Sequence, residues 1–310
     1  MSLPIIASEP RSNTNPTVPL SRRGNRHTRA ALVLIAPAVV LTLLVEYVPT
    51  ALSLFASFFQ IPLSGDEWTF VGLGNFQAIV VDSDVQQAVW NTFLYCAITI
   101  LPSLVLGLGG ALLINSLSRG RGWVSAVLFL PLTANLVAMA VVFEWIFALN
   151  GGFANAALGL VGVSPVNFLG DATTALPTVA SVGVWRSASF CMVLFLAGLT
   201  TIPAAIHEAA AMDGVRGWAK LRDVTLPMLR TTTVVAVVLT TVQTVQTFET
   251  VQVMTDGGPL GETESVLSLT WRIGFGYFQL GAASALSFLL LLFLLALGLY
   301  RRRAILRGAS

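Results

Sequence analysis

The residues of this chain that could do chemistry are few, and their spacing excludes most catalysis. The two histidines, His27 and His207, flank apolar stretches, and the two cysteines, Cys96 and Cys191, lie inside them, where free cysteine behaves as a small hydrophobe. Neither histidine has a cysteine or second histidine at ligand spacing, so no metal site is expected, and no serine-histidine pair can form within the apolar stretches. A P-loop needs Gly-Lys-Ser/Thr, yet the one lysine, Lys220, stands between Ala219 and Leu221. The sequence therefore assigns no catalytic residue and no bound cofactor.

What remains is hydrogen-bonding and ion-pairing chemistry in places where it is costly. Glu46, Glu144, Arg186 and Glu249 interrupt apolar runs, and an ionisable group inside a membrane span costs roughly 2.5–3.5 kcal/mol on insertion scales. Arg186 can pair with Glu144 or Glu249, or contact a solute. Read as one helix at about 100° per residue, Thr231 to Met254 gathers Thr240, Gln243, Gln246, Thr247 and Thr250 within an arc of about 120°, with Glu249 at its edge. Such a stripe either bonds neighbouring helices or lines a path, and amides and hydroxyls suit a polyhydroxylated solute because they donate and accept without demanding charge. Asn91 and Asn135 are weaker candidates, since a single asparagine also serves to tie two helices together. Trp185, beside Arg186, either stacks on a sugar face or packs.

The elements that must position these groups are membrane helices. In 310 residues, 55% are hydrophobic and 10% charged, with a mean hydropathy of +0.80, which excludes a water-soluble domain. The net charge of +2 gives nucleic acid no basic face to bind. Apolar runs at Ala31–Phe59, Ala88–Leu117, Trp123–Leu149, Leu176–Leu199, Thr231–Met254 and Leu280–Tyr300 each cover a hydrocarbon core of about 30 Å as helix. The expectation is an all-α membrane protein with six transmembrane helices over residues 30–300. Residues 1–29 read as a disordered basic tail leading into a retained anchor rather than a signal peptide, and residues 301–310 as a second basic tail.

Assigning loops to alternate sides puts Arg11, Arg22, Arg23, Arg26, Arg29, Arg119, Arg121, Arg216, Lys220, Arg222, Arg230, Arg301, Arg302, Arg303 and Arg307 on one side, which is all of the 17 basic residues except Arg186 and Arg272. The other side collects Asp66, Glu67, Asp82, Asp84, Asp171, Asp256, Glu262 and Glu264. By the positive-inside rule both termini are cytoplasmic. The connections at 60–87, 150–175 and 255–279 then face outward, and Trp68, Phe70 and Phe76 read as interfacial anchors in ordered turns and short helices.

The cytoplasmic loop at 201–227 reads as two short helices around a sharp turn. Pro203 suits a first helical turn, the alanine run favours helix, Gly214 can take a left-handed cap, and Pro227 should stop the second helix near Leu226. Its pattern of Glu208, Ala209, Ala210, Asp213, Gly214, Trp218, Leu226 and Pro227 resembles the EAA loop of permease subunits from binding-protein-dependent ABC importers, with Leu221 where that family usually has phenylalanine. Ala36-Pro37-Ala38, the run Phe70 to Phe76, Thr255-Asp256-Gly257-Gly258-Pro259 and the run Gly281 to Ala285 extend the likeness to the MalF-like carbohydrate branch.

The resemblance implies a multi-pass permease of the bacterial cytoplasmic (inner) membrane. Its implied partners are a second permease (as a heterodimer), a pair of ABC ATPases that use ATP and Mg, an extracytoplasmic solute-binding protein or lipoprotein, and membrane lipid. The loop then supplies the coupling helix, and the solute is a sugar, oligosaccharide, polyol or glycerol-phosphate ester. A phosphodiester would want more cationic lining than Arg186 alone, which tilts the reading toward neutral carbohydrate. The alternative is an ion-coupled secondary carrier or channel, which would also lack a nucleotide motif.

Overall fold

The computed structural model describes residues 24–62 and 67–308, with no side-chain account of 24–30 and 300–308. The expected tail at 1–29 thus falls mostly outside the described residues, but its last six residues are helical: α1 (Gly24–Thr42) starts upstream of the expected boundary. The chain divides into two compact units, one up to Leu52 and one from Ser53 onward. In the first, α1 passes through a π-helical turn at Leu43–Tyr47 that holds Glu46, and continues into α2 (Val48–Ala56). Ala31–Ala56 is long and apolar enough to cross a membrane.

The second unit opens with a two-residue hairpin, β1 (Phe59–Gln60) against β2 (Thr69–Phe70), and α3 (Gly74–Val81). The Phe70–Phe76 motif has a mechanical reason: Asn75 Nδ2 donates to Ser57 O at 2.9 Å and Phe59 O at 3.0 Å, pinning the hairpin to α3. Next comes α4 (Ser83–Ser116), about 51 Å long at 1.5 Å per residue. Its buried face includes Asn91, Tyr95, Thr99, Ser103, Gly107 and Ala111, spaced by four residues, and packs along α8 (Ala175–Thr200). Gly107 marks the closest approach, because a Cβ there would lie 2.5 Å from Cys191 Cβ and 2.9 Å from the Ala188 carbonyl. Small residues let two membrane backbones approach this closely.

Two of the other expected spans are broken. The stretch expected as one helix from Trp123 to Leu149 is α5 (Arg121–Thr133) and α6 (Leu136–Ile146), bent by 98°. Asn135 takes extended backbone there, and its side-chain oxygen accepts from Val137 N and Ala138 N as the N-cap of α6. A short α7 (Phe153–Leu160) lies before α8, anchored by Asn155, which exchanges hydrogen bonds with the Val166 backbone. Among the described residues, four helices satisfy the length and hydropathy of a span, and two bent pairs bring the total to six if each counts as one.

After α8 the loop folds as expected into α9 (Ala204–Met212), a turn, and a second helical segment built from α10 (Gly217–Lys220), a π-helical turn at Leu221–Thr225 and α11 (Leu226–Met228). The expected stop before Pro227 is not observed. The wide turn places Pro227 in the first positions of a new helical turn, where its missing N–H costs nothing, and the chain bends only at Leu229. It then enters α12 (Arg230–Val245) at 72°. The expected continuous helix to Met254 is likewise interrupted: Gln246–Phe248 is non-helical, and α13 (Glu249–Met254) follows. The Thr247 carbonyl freed by this break accepts from Ser265 Oγ at 2.7 Å. The last elements are α14 (Val266–Trp271) and α15 (Leu280–Gly308), so the expected tail at 301–310 continues the last helix to Gly308.

The connection from α13 to α14 is a built turn. Asp256, Gly257, Leu260 and Gly261 all have positive φ, Asn91 Nδ2 donates to the carbonyls of Gly261 at 2.7 Å and Glu264 at 3.1 Å, and Arg272 Nη2 donates to Asp256 O at 2.7 Å. Arg272 also pairs with buried Glu264, whose Oε1 has no partner. Burial pushes the Glu264 carboxyl above the ordinary carboxylate range, and the Arg272 charge offsets that only in part. A carboxyl raised in the folded state contributes stability below its unfolded value, and loses it as pH rises through the folded value. The Tm of wild type relative to Glu264→Gln is therefore expected to improve as detergent-solubilised protein is taken from neutral to acid pH. A pH-independent difference would contradict this account of the turn.

Candidate functional site

A cavity of about 210 Å³ opens where the broken elements meet the α4–α8 pair. It is lined by Tyr95 and Thr99 from α4, Leu136 and Met139 from α6, Gly183, Arg186 and Ser187 from α8, and Gln243, Thr244, Gln246, Thr247, Glu249 and Thr250 from the α12–α13 segment. Non-helical backbone at membrane depth is tolerated only where protein buries it or where it lines a water-filled cavity, and the break at Gln246–Phe248 does line this one. Two polar atoms in the wall are buried with no partner, Thr99 Oγ1 and Arg186 Nε. Buried polar groups are nearly always satisfied, so both atoms are free to bond a molecule that enters the cavity.

Of the residues expected to line a path, Arg186, Gln243, Gln246, Thr247, Glu249 and Thr250 come together here, although not by the geometry expected of an unbroken helix. Thr247 and Thr250 are buried with hydroxyl oxygens 3.3 Å apart, and Gln243 and Gln246 are exposed on the open side. Thr240 belongs to the stripe but contacts Cys191 Sγ at 3.1 Å instead. Asn135 is not in the wall, because its side chain is used as a helix cap. Trp185 meets Phe143 edge-on at 5.3 Å and also lies outside the wall.

The expected pairing of Arg186 with Glu144 or Glu249 does not occur: the ion pairs among the described residues are Arg222–Asp223 and Arg272–Glu264. Glu144 lines a second, shallower cavity of about 450 Å³ with Gly170, Thr255 and Asp256. Both cavities have walls on α6 and α13, so they follow one another along those two elements.

Tyr95, Thr99 and Ser187 escaped the sequence reading, yet the first two stand on the four-residue polar repeat of α4. Gly183 is what admits Tyr95, since a Cβ there would collide with its hydroxyl.

The loop at 201–227 presents the second candidate surface. Val215 N donates to Ala210 O at 2.9 Å and Gly214 N to Ala211 O at 3.1 Å, with Gly214 at φ +74°, which closes α9 in a Schellman cap. Ala210 faces inward, Leu221 and Leu226 are half-buried, and Glu208, Ala209, Asp213, Gly214, Trp218 and Pro227 are exposed. Trp218 at 71% and Met212 at 89% exposure leave large apolar groups on the surface of this loop.

A helical membrane protein whose interior is spent on a polar cavity between interrupted helices is built for passage rather than for turnover, and the class so defined is a membrane transport subunit. The chain belongs to the family described as the binding-protein-dependent transport system inner membrane component, which it matches over residues 103–304. It is similar to the trehalose/maltose transport system permease protein MalF of Thermococcus litoralis, at 30% identity over 86% of this chain and 91% of that one. It is also similar to the sulfoquinovosyl glycerol transport system permease protein SmoG of Agrobacterium fabrum (32%, covering 83% and 84%) and the trehalose transport system permease protein SugA of Mycobacterium tuberculosis (31%, covering 88% of each). Its fold matches a chain of a bacterial ABC transporter that imports the acidic polysaccharide alginate, with a TM-score of 0.81 at 22% identity over 92% of this chain and 98% of that one. As a member of this family the chain is a non-catalytic inner-membrane component.

Proposed function

We propose that this chain is one of two permeases in an ATP-driven importer for a carbohydrate-type solute, working by alternating access through the cavity at Arg186, Gln243, Gln246, Thr247, Glu249 and Thr250. The observation that carries this reading is a polar cavity, with Thr99 Oγ1 and Arg186 Nε unpartnered, set between two interrupted helices. Permeases similar in sequence are named for trehalose, maltose and sulfoquinovosyl glycerol, which supports a hydroxyl-rich solute. One guanidinium and one carboxylate in the same wall favour a solute without net charge.

The importer has six spans with both termini in the cytoplasm, and the second permease completes the open side of the cavity at Gln243 and Gln246. An extracytoplasmic binding protein delivers solute, and an ATPase pair using ATP and Mg drives the cycle. The ATPases engage the loop at 201–227 through Glu208, Ala209, Ala210, Asp213, Gly214, Trp218, Leu221, Leu226 and Pro227.

Gln243 and Gln246 are exposed, so truncation there removes hydrogen-bonding groups without disturbing packing. Gln243→Ala and Gln246→Ala are each expected to reduce uptake severalfold while the complex still co-purifies with its partners. Unchanged uptake in both variants returns the stripe to helix packing.

A further inference from the structure

Leu260, in the turn between α13 and α14, carries two costs that nothing within the described residues offsets. Its side chain is 96% exposed, more than any other large hydrophobic group described, and its backbone sits at φ +51°. The other left-handed positions of the turn, Asp256, Gly257 and Gly261, hold residue types that tolerate that region, whereas leucine does not. An exposed leucine alone is ordinary, but one held in strained backbone marks a side chain that is used. The turn also keeps it still: Glu262 N donates to Pro259 O at 2.9 Å, Thr263 Oγ1 to Gly258 O at 2.7 Å, and Asn91 Nδ2 fixes Gly261 O from α4. A side chain presented on a braced turn gives up little freedom on binding.

The fold sets this turn at the opposite end of the α4–α8 pair from the 201–227 loop. Those helices run in the same direction, since Tyr95 lies against Gly183 and Gly107 against Cys191, each further along its helix. The turn is tied to Asn91 near the start of α4, and the loop follows the end of α8. Thr255 and Asp256, at the head of the turn, also line the cavity of about 450 Å³ that holds Glu144. Asp256 and Glu262 flank Leu260 in sequence, and such an acidic surround disfavours an anionic bilayer surface and suits a basic partner. We infer that Leu260 is the anchor on which the extracytoplasmic solute-binding protein docks, received by an apolar notch with a basic rim. Docking there sets the binding protein over the cavity at Glu144, so that solute enters beside the anchor. The inference rests on reading the chain as an importer permease with this turn facing outward.

The test uses the complete importer in lipid nanodiscs, titrated with its binding protein while ATPase is followed. Leu260→Asp is expected to raise the half-saturating concentration of binding protein about tenfold, with the maximal rate retained. Leu260→Gly separates side chain from backbone: it relieves the strained φ, so the complex assembles with a Tm at or above wild type, yet half-saturation still rises severalfold. Leu260→Met keeps the apolar bulk and stays near wild type. Unchanged half-saturation in the aspartate and glycine variants overturns the anchor. So does a loss of maximal rate or of co-purification without that shift, which would put Leu260 against the second permease, and so does a shift that vanishes in detergent, which would put it against lipid. Failure of the importer reading is told apart from all of these, because the binding protein would then not stimulate the wild-type complex.

Discussion

Gly107→Val is expected to abolish recovery of the folded permease, while Gly109→Val, two residues along the same helix, is expected to be tolerated. A Cβ at position 107 lies 2.5 Å from Cys191 Cβ, and 2.9 Å from both the Ala188 carbonyl and the Met192 nitrogen. The latter two are backbone atoms, so no rotamer change relieves them, and α4 and α8 must separate along their contact. Overpacking costs about 1–3 kcal/mol and occasionally more, and a clash against backbone in the principal helix pair belongs at the upper end. At position 109 nothing lies within 4 Å of an added Cβ. The measurement is the monodisperse fraction after detergent extraction. Equal recovery of the two variants would show that α4 and α8 do not meet as described.

The second large effect belongs to the loop. No atom lies within 4 Å of a Cβ added at Gly214, so its requirement is conformational: φ is +74°, and a left-handed backbone costs an ordinary L-residue roughly 1–2 kcal/mol. That cost shifts the turn's population by about 5- to 30-fold, enough to misplace α9 against α10. Gly214→Val is expected to lose most of its binding-protein-stimulated ATPase, Gly214→Ala less, and Gly214→Asn least, because asparagine tolerates this region. Normal stimulation in the valine variant would mean that the turn does not transmit work.

How far the sequence carried depends on where each shape is decided. The 201–227 hairpin was legible because its determinants are local: Pro203, the alanine run and the glycine cap act within one turn of the chain. The polar residues of the cavity were legible as a stripe, but the break that aims them was not. Gln246-Thr247-Phe248 contains no glycine or proline, and its freed carbonyl is satisfied by Ser265, which stands 18 positions later. The break before α6 did leave a trace, since Asn135 is a capping residue two positions after Thr133 and shortly after Pro131, although the long apolar stretches on both sides masked it. Tyr95 and Thr99 could have been found by applying to α4 the periodicity test applied to α12, because Asn91, Tyr95, Thr99 and Ser103 recur every four residues.

The debt owed by Thr247 to Ser265 also orders how the protein is made. An interrupted helix in a membrane protein keeps its freed backbone groups satisfied only through partners from elsewhere in the chain. The hydroxyl that takes up the Thr247 carbonyl stands 18 positions further along the chain, so the interruption is satisfied only once the connection from α13 to α14 has folded back onto it. On this account the cavity is among the last parts of the molecule to mature, and a chain truncated before Ser265 would leave the break without the hydroxyl that satisfies it.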